Sequence, residues 1–185
     1  SKDGHRIYIR GILYIMAKAL NEVYPEALLS VNYQLSSAMF CKIDNMEITD
    51  EMIAKVKARM QEIIDQNLEI RKVVMTKEEA EEFYSNEKTL RGIVQIDNTQ
   101  KEGVSLYYCE DYFNYFFGVM PVTTAYTDVF DVIKYGDGFL VRYPSAEKPN
   151  ELTNYKSNKK LLSTLEEYED IHRVLQIDTC LLYTS

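Results

Sequence analysis

Leu28-Leu29-Ser30-Val31-Asn32-Tyr33-Gln34-Leu35-Ser36-Ser37-Ala38-Met39-Phe40-Cys41-Lys42-Ile43 reads as two strands joined at Ser36-Ser37. Both arms are rich in β-branched, aromatic and long apolar residues, and a small polar pair separates them, so the stretch predicts a β-hairpin. What flanks it decides the class. Upstream, Ile9, Ile12, Leu13, Met16, Leu20 and Val23 recur at three- and four-residue steps, and Pro25 closes the run. That spacing predicts an amphipathic helix over residues 7–24. Downstream, Thr49-Asp50-Glu51 opens a second helix with Met52, Ile53, Val56, Met60, Ile63 and Ile64 on its inner face. Its acidic first turn suits the helix dipole. Runs of strands and runs of helices, without regular strand–helix alternation, predict an α+β fold with an antiparallel sheet packed by helices.

The rest of the chain continues in the same way. Residues 69–75 read as a strand, and Thr76-Lys77-Glu78-Glu79 is a capping box that starts a short third helix. Apolar alternation at 93–96, 104–108, 129–133 and 139–143 predicts mostly antiparallel strands. Asp97-Asn98, Gly103 and the hairpin-like Gly136-Asp137-Gly138 punctuate them. Pro144 and Pro149 mark a linker, and residues 159–175 return to helical spacing. The expected organisation is one domain over residues 1–145, followed by a linker and connector helix over 146–185.

Composition narrows the function classes. The 185 residues carry 21 Lys+Arg against 29 Asp+Glu, a net charge of −8. An acidic chain lacks the general coat of cations that neutralises nucleic-acid phosphates, though a local basic patch remains compatible with it. At 46% apolar and 27% charged residues, the mix is that of a globular domain rather than a disordered chain. Cys41, Cys109 and Cys180 form no paired framework, which fits a reducing compartment. Those thiols and the distant His5 and His172 lack the close ligand spacing of a zinc site. No apolar run reaches the roughly 18 residues of a membrane helix, so the expected location is cytoplasmic. A start at Ser1 suggests a piece of a longer polypeptide. No glycine motif has the spacing of a phosphate-binding or dinucleotide loop.

One segment is unusual. Between Tyr107 and Phe117, seven of eleven residues are aromatic. The segment reads either as core with a packed loop, or as aromatic walls that stack on a flat ligand such as a base.

Several motifs in order carry a resemblance. They are Ala19-Leu20-Asn21-Glu22-Val23-Tyr24-Pro25, Val31-Asn32-Tyr33-Gln34-Leu35, Met39-Phe40-Cys41, Ile48-Thr49-Asp50-Glu51-Met52, Glu110-Asp111-Tyr112 and Gly118. Together they resemble the editing-type second N-terminal domain of threonyl-tRNA synthetases, shared with alanyl-tRNA synthetases, over roughly residues 4–144. A second set is Asp3-Gly4-His5-Arg6-Ile7-Tyr8, Tyr112-Phe113-Asn114-Tyr115-Phe116-Phe117-Gly118 and Gly138-Phe139-Leu140-Val141-Arg142-Tyr143-Pro144. It is similar to the variant found in bacterial uridine kinase-like nucleoside kinases, where a TGS domain and this editing-like domain precede a P-loop kinase domain. The resemblance implies partners within the parent, its own kinase and TGS domains, and a nucleotide or RNA end as ligand, with no membrane and no DNA. ATP and Mg²⁺ would serve only the absent kinase domain, and this fragment would need no cofactor.

The synthetase domain holds zinc through His-x-x-x-His on its first helix and Cys-x-x-x-His in a later loop. By that alignment the four positions are Arg10, Tyr14, Phe116 and Met120. A permanent guanidinium cation repels a metal, a phenyl ring has no lone pair, and a lone thioether is too soft for zinc. The resemblance therefore implies a degenerate site, with no metal and no catalytic residue. Bulky Tyr14, Phe116 and Met120 would refill the vacated pocket. The ligand-cleft candidates are Arg10, Tyr14, Tyr33, Cys109, Tyr112, Phe116 and Met120. Arg10 is expected to grip a phosphate or carboxylate, or to pair with Asp111 or a neighbouring Glu. His5 is expected to be a cap or surface residue. The expected function is that of a non-catalytic regulatory or nucleotide/RNA-sensing domain of a nucleoside kinase. One alternative is an aminoacyl-tRNA deacylase or editing domain of a synthetase relative, working without zinc through Cys109, His5 and Asp111. Another is a structural or dimerisation spacer.

Overall fold

The computed structural model describes residues 2–85, 104–115, 118–152 and 183–184. Helix α1 spans Lys2–Val23 and leads into the hairpin β1 (Leu29–Leu35) and β2 (Ala38–Ile43). Ser36, at φ 52°, makes the left-handed step of the two-residue turn. Helix α2 (Asp50–Asp65) starts at Thr49, whose Oγ1 accepts from the Met52 N–H at 3.2 Å. Then follow β3 (Arg71–Met75), α3 (Lys77–Ser85), β4 (Val104–Cys109) and β5 (Tyr112–Tyr115). A 3₁₀ turn at Thr124–Tyr126 precedes β6 (Asp131–Tyr135) and β7 (Gly138–Arg142), and Tyr183–Thr184 forms β8.

The strands form two antiparallel sheets. The larger has the order β6-β7-β2-β1-β8, and the smaller is β3-β4-β5. The architecture is α+β, with helices packed on antiparallel sheets, as the residue pattern predicts. The predicted elements at 93–96 and 159–175 lie outside the described residues.

Three features depart from the sequence reading. The aromatic segment supplies core, as one reading expects, with Tyr107, Tyr112 and Phe113 buried, but Tyr112–Tyr115 form a strand, β5, rather than a loop and pair residue for residue with β4. A tight turn at Glu110-Asp111, with Glu110 at φ 54°, joins the two strands. Next, α1 is not simply amphipathic. Every residue from Gly11 to Leu20 is buried. Its apolar residues share one core cluster with α2, with Met39, Cys41, Phe139 and Val141 of the large sheet, and with Tyr107, Cys109 and Tyr112 of the small one. Over Gly11–Leu20 the helix is covered on both sides and keeps no polar face, whereas its first turns stay partly open.

The third departure is in β1. Leu29, Val31, Tyr33 and Leu35 alternate as if they shared one face, yet the register shifts between Val31 and Tyr33. The extra residue, Asn32, inverts the two-residue phase of the strand. Leu29 and Val31 therefore join the main core, while Tyr33 and Leu35 turn to the opposite face with Ala38, Phe40, Tyr135 and Leu140. Tyr33 packs on Phe40 with ring centroids 5.0 Å apart.

Candidate functional site

The first half of α1, the β4–β5 hairpin and residues 118–121 meet at one junction. Arg10, Tyr14 and Lys18 follow one another at four-residue steps, so they form a slowly drifting stripe on the helix. Tyr14 is fully buried. Its hydroxyl donates to the Tyr107 carbonyl at 2.8 Å, and its ring meets Tyr112 edge-on at 5.3 Å. Tyr107 in turn donates its hydroxyl to the Gly118 carbonyl at 2.8 Å. Burial raises the Tyr107 pKa above the ordinary phenol value, with Arg10 pulling it partly back. The phenol is therefore a neutral donor at physiological pH.

Arg10 closes the junction. Its Nη1 donates to the Val119 carbonyl at 3.2 Å, and its guanidinium lies against Gly118. A methyl group at Gly118 would stand 2.6 Å from Arg10 Cζ, and φ there is +105°. Both facts call for glycine. Of the two roles expected for Arg10, pairing with Asp111 or a neighbouring Glu does not occur among the described residues, where no acidic group pairs with it.

The remaining candidates separate into groups. Met120, Cys109 and Tyr112 are buried in the main core with Tyr14. Tyr33 belongs to the cluster on the far face of the large sheet and does not join them. Phe116 lies outside the described residues. His5 is a tether rather than a cap: its Nε2 lies 2.9 Å from the Pro144 carbonyl, and its ring meets Tyr143 edge-on.

Sequence reasoning overlooked Lys18. It is 1% exposed, and its ammonium pairs with Glu22 of the same helix and, at 3.1 Å, with Glu110 at the hairpin turn. Burial pushes its pKa down, but the two carboxylates outweigh that and the value ends above the ordinary lysine range. Glu22 also pairs with Arg59 of α2. Burial would raise the Glu22 pKa, and the Arg59 and Lys18 cations bring it below the usual value. One chain of charges thus fastens the hairpin to both helices. The signal was available in the sequence, since Lys18 continues the Arg10–Tyr14 step and stands four residues before Glu22.

The chemistry of this junction follows from its groups. Burial pushes the Cys109 thiol up to about 11, against the pull of Lys18, so it is protonated at neutral pH and poorly nucleophilic. His5 precedes Lys18 by thirteen residues, about 20 Å along the helix, and is bonded to Pro144. The proposed Cys109–His5 pairing therefore has no geometry. Zinc does not fit either. Arg10 is a cation, the Tyr14 hydroxyl is spent on a carbonyl, and Met120 offers a lone thioether within the core. Among the described residues no three His, Cys, Asp or Glu side chains come together.

The comparisons with known proteins bear on this junction. No family model matches the chain. The threonine–tRNA ligase of Thermoplasma volcanium is 27% identical over 176 residues, covering 90% of this chain and 26% of that protein. The chain is a distant homologue of threonine–tRNA ligases. The enzyme of Clostridium acetobutylicum is 29% identical over 51% of this chain and 15% of its own length. That of Fusobacterium nucleatum is 25% identical over 70% of this chain and 22% of its own length. The chain thus spans about a quarter or less of the relatives it matches. This homology, together with antiparallel sheets packed by helices, supports the editing-domain-like fold. No helix among the described residues is long and apolar enough to cross a membrane.

Proposed function

We propose that this chain is a non-hydrolytic, editing-like domain of a larger protein, and that it recognises a ligand rather than cleaving one. One observation carries the reading. The Tyr14 hydroxyl, at a position where the resemblance expects a metal ligand, is already bonded to the Tyr107 carbonyl inside a filled core. A buried phenol engaged in this way offers no base to activate a water. Recognition of a nucleotide or RNA end is the activity left to such a domain once hydrolysis is gone.

The parent we favour is an ATP-dependent nucleoside kinase of the uridine-kinase type. The motifs at residues 3–8, 112–118 and 138–144 support it. A second reading, an editing domain in a relative of threonyl-tRNA synthetase, has the names of the homologues in its favour. Coding sequence downstream separates the two: a phosphate-binding loop supports the kinase, and an aminoacylation domain supports the synthetase relative. The non-hydrolytic reading has its own test. The purified chain is expected to leave seryl- and alanyl-tRNA intact, with or without added zinc. Deacylation above the buffer rate would overturn it.

A further inference from the structure

The cations of this acidic chain are unevenly neutralised. On α2, Lys55 pairs with Glu51, Lys57 with Asp131, and Arg59 with Glu22 and Glu62. Lys18, Lys42, Lys77, Arg142 and Lys148 also have carboxylate partners. Lys2, Arg6, Arg10, Arg71, Lys72 and Lys134 form no ion pair with a described residue, and the first three share one face of α1. Lys2 and Arg6 are exposed, and Arg10 is half-buried. The opposite side of this half-helix is covered, because Gly4 and Tyr8 meet Tyr126, and Gly11 meets Pro121 and Thr127. Asp3, exposed on the same turn, is the one carboxylate beside them. In a protein with eight more acidic than basic residues, three cations against one carboxylate, none of them ion-paired among the described residues, are a local reversal of sign.

Arg10 is also held in place. Gly118 against one side of it and the bond to the Val119 carbonyl fix the guanidinium and engage one of its five N–H donors. Val119, 62% exposed, gives the rim an apolar surface. On the other side lies Tyr107, whose cross-strand partner Lys72 is exposed and likewise without an ion pair among the described residues.

We propose that this face of α1 receives a single-stranded phosphodiester backbone, with Lys2, Arg6 and Arg10 each meeting one phosphate. The proposal rests on the binding-domain reading and moves its ligand from the filled junction to the helix surface. Geometry sets the ligand class. Residues four apart rise about 6 Å, which suits phosphates separated by a sugar. The directly linked phosphates of a triphosphate would all fall to one cation. Val119 would lie under the adjoining sugar or base.

The test is fluorescence anisotropy of a labelled 12-nucleotide single-stranded RNA with the intact chain, across a salt series. Log affinity is expected to fall against log salt with a slope of about −2, as for three neutralised phosphates on a single strand. Arg6→Glu is expected to weaken binding about tenfold or more at low salt and to leave the melting temperature unchanged. Lys134→Glu on β6, which changes net charge equally, is expected to change affinity less than twofold. A DNA strand of the same sequence is expected to bind alike, since the contacts proposed are to phosphate. Equal losses in the two variants, competition by tripolyphosphate as strong as by unlabelled RNA, or no binding by the wild-type chain would overturn the proposal. Equal losses would still leave the non-hydrolytic reading intact, because the deacylation assay measures that independently.

Discussion

Gly118 shows how much one residue position decides. A side chain there meets both a positive φ and the Arg10 guanidinium. Gly118→Ala is therefore expected to cost about 2 kcal/mol in urea unfolding, from backbone strain and the displaced guanidinium. Lys18 is decisive for a different reason. Lys18→Met removes the buried ammonium; Glu110, exposed at the hairpin turn, returns to solvent at little cost, and the lost pair with half-buried Glu22 is expected to cost about 1 kcal/mol. The variant also changes the acid limb of stability. The Glu22 pKa is depressed in the folded state, so its contribution is present at neutral pH. It begins to fade as pH drops past the ordinary glutamate value of about 4.3 and is lost below the depressed folded value. With Lys18 gone, Arg59 alone holds Glu22 down, and the loss between about pH 7 and 3 is expected to be shallower. Urea midpoints across that range would show it, and an acid limb as steep as wild type would refute the link.

At the scale of elements, the junction depends on hydroxyl-to-carbonyl bonds between α1 and the β4–β5 hairpin. Tyr14→Phe keeps the ring packing on Tyr112 and removes the hydroxyl that donates to the Tyr107 carbonyl at 2.8 Å and, more weakly, to the Tyr112 carbonyl at 3.4 Å. About 1 kcal/mol is expected to be lost, with faster hydrogen exchange confined to β4 and β5. Tyr33→Ala, on the far face of the large sheet, is expected to cost about 3 kcal/mol or more by opening the cluster around Phe40. It should leave oligonucleotide affinity untouched, as measured by the same anisotropy assay. The elements themselves were largely legible. Thr49, Thr76, Ser36-Ser37 and Gly136-Asp137 act locally, so their caps and turns show in the sequence. What escaped depends on distant partners. The bulge at Asn32 is a matter of register against β2, and no property of β1 alone announces it. Strand β5 was hidden because its aromatic residues suit a loop, a pocket wall or a strand until β4 lies beside them. The stripe of Arg10 and Tyr14 could be placed on one helix face from spacing alone. Whether it faced an open cleft or a filled core depended on the hairpin above it.

For the whole molecule, the question is what holds α1, the hairpin and the 118–121 segment together. In the synthetase domains this chain resembles, a metal ion would tie a helix to a loop. Here Arg10, Tyr14 and Tyr107 reach three backbone carbonyls, and the Lys18–Glu22–Arg59 chain extends the fastening to α2. Those bonds involve only protein atoms, so global stability should be indifferent to metal. A ligand present at one hundred times its dissociation constant adds about 2.7 kcal/mol. That would raise the melting temperature of a domain this size by roughly 5–10 °C. The expected result is no shift on dialysis against a chelator and none on adding zinc. A fall of several degrees with chelator, reversed by stoichiometric zinc, would mean that a metal carries part of the load, and both the filled-junction account and the non-hydrolytic reading built on it would fail together.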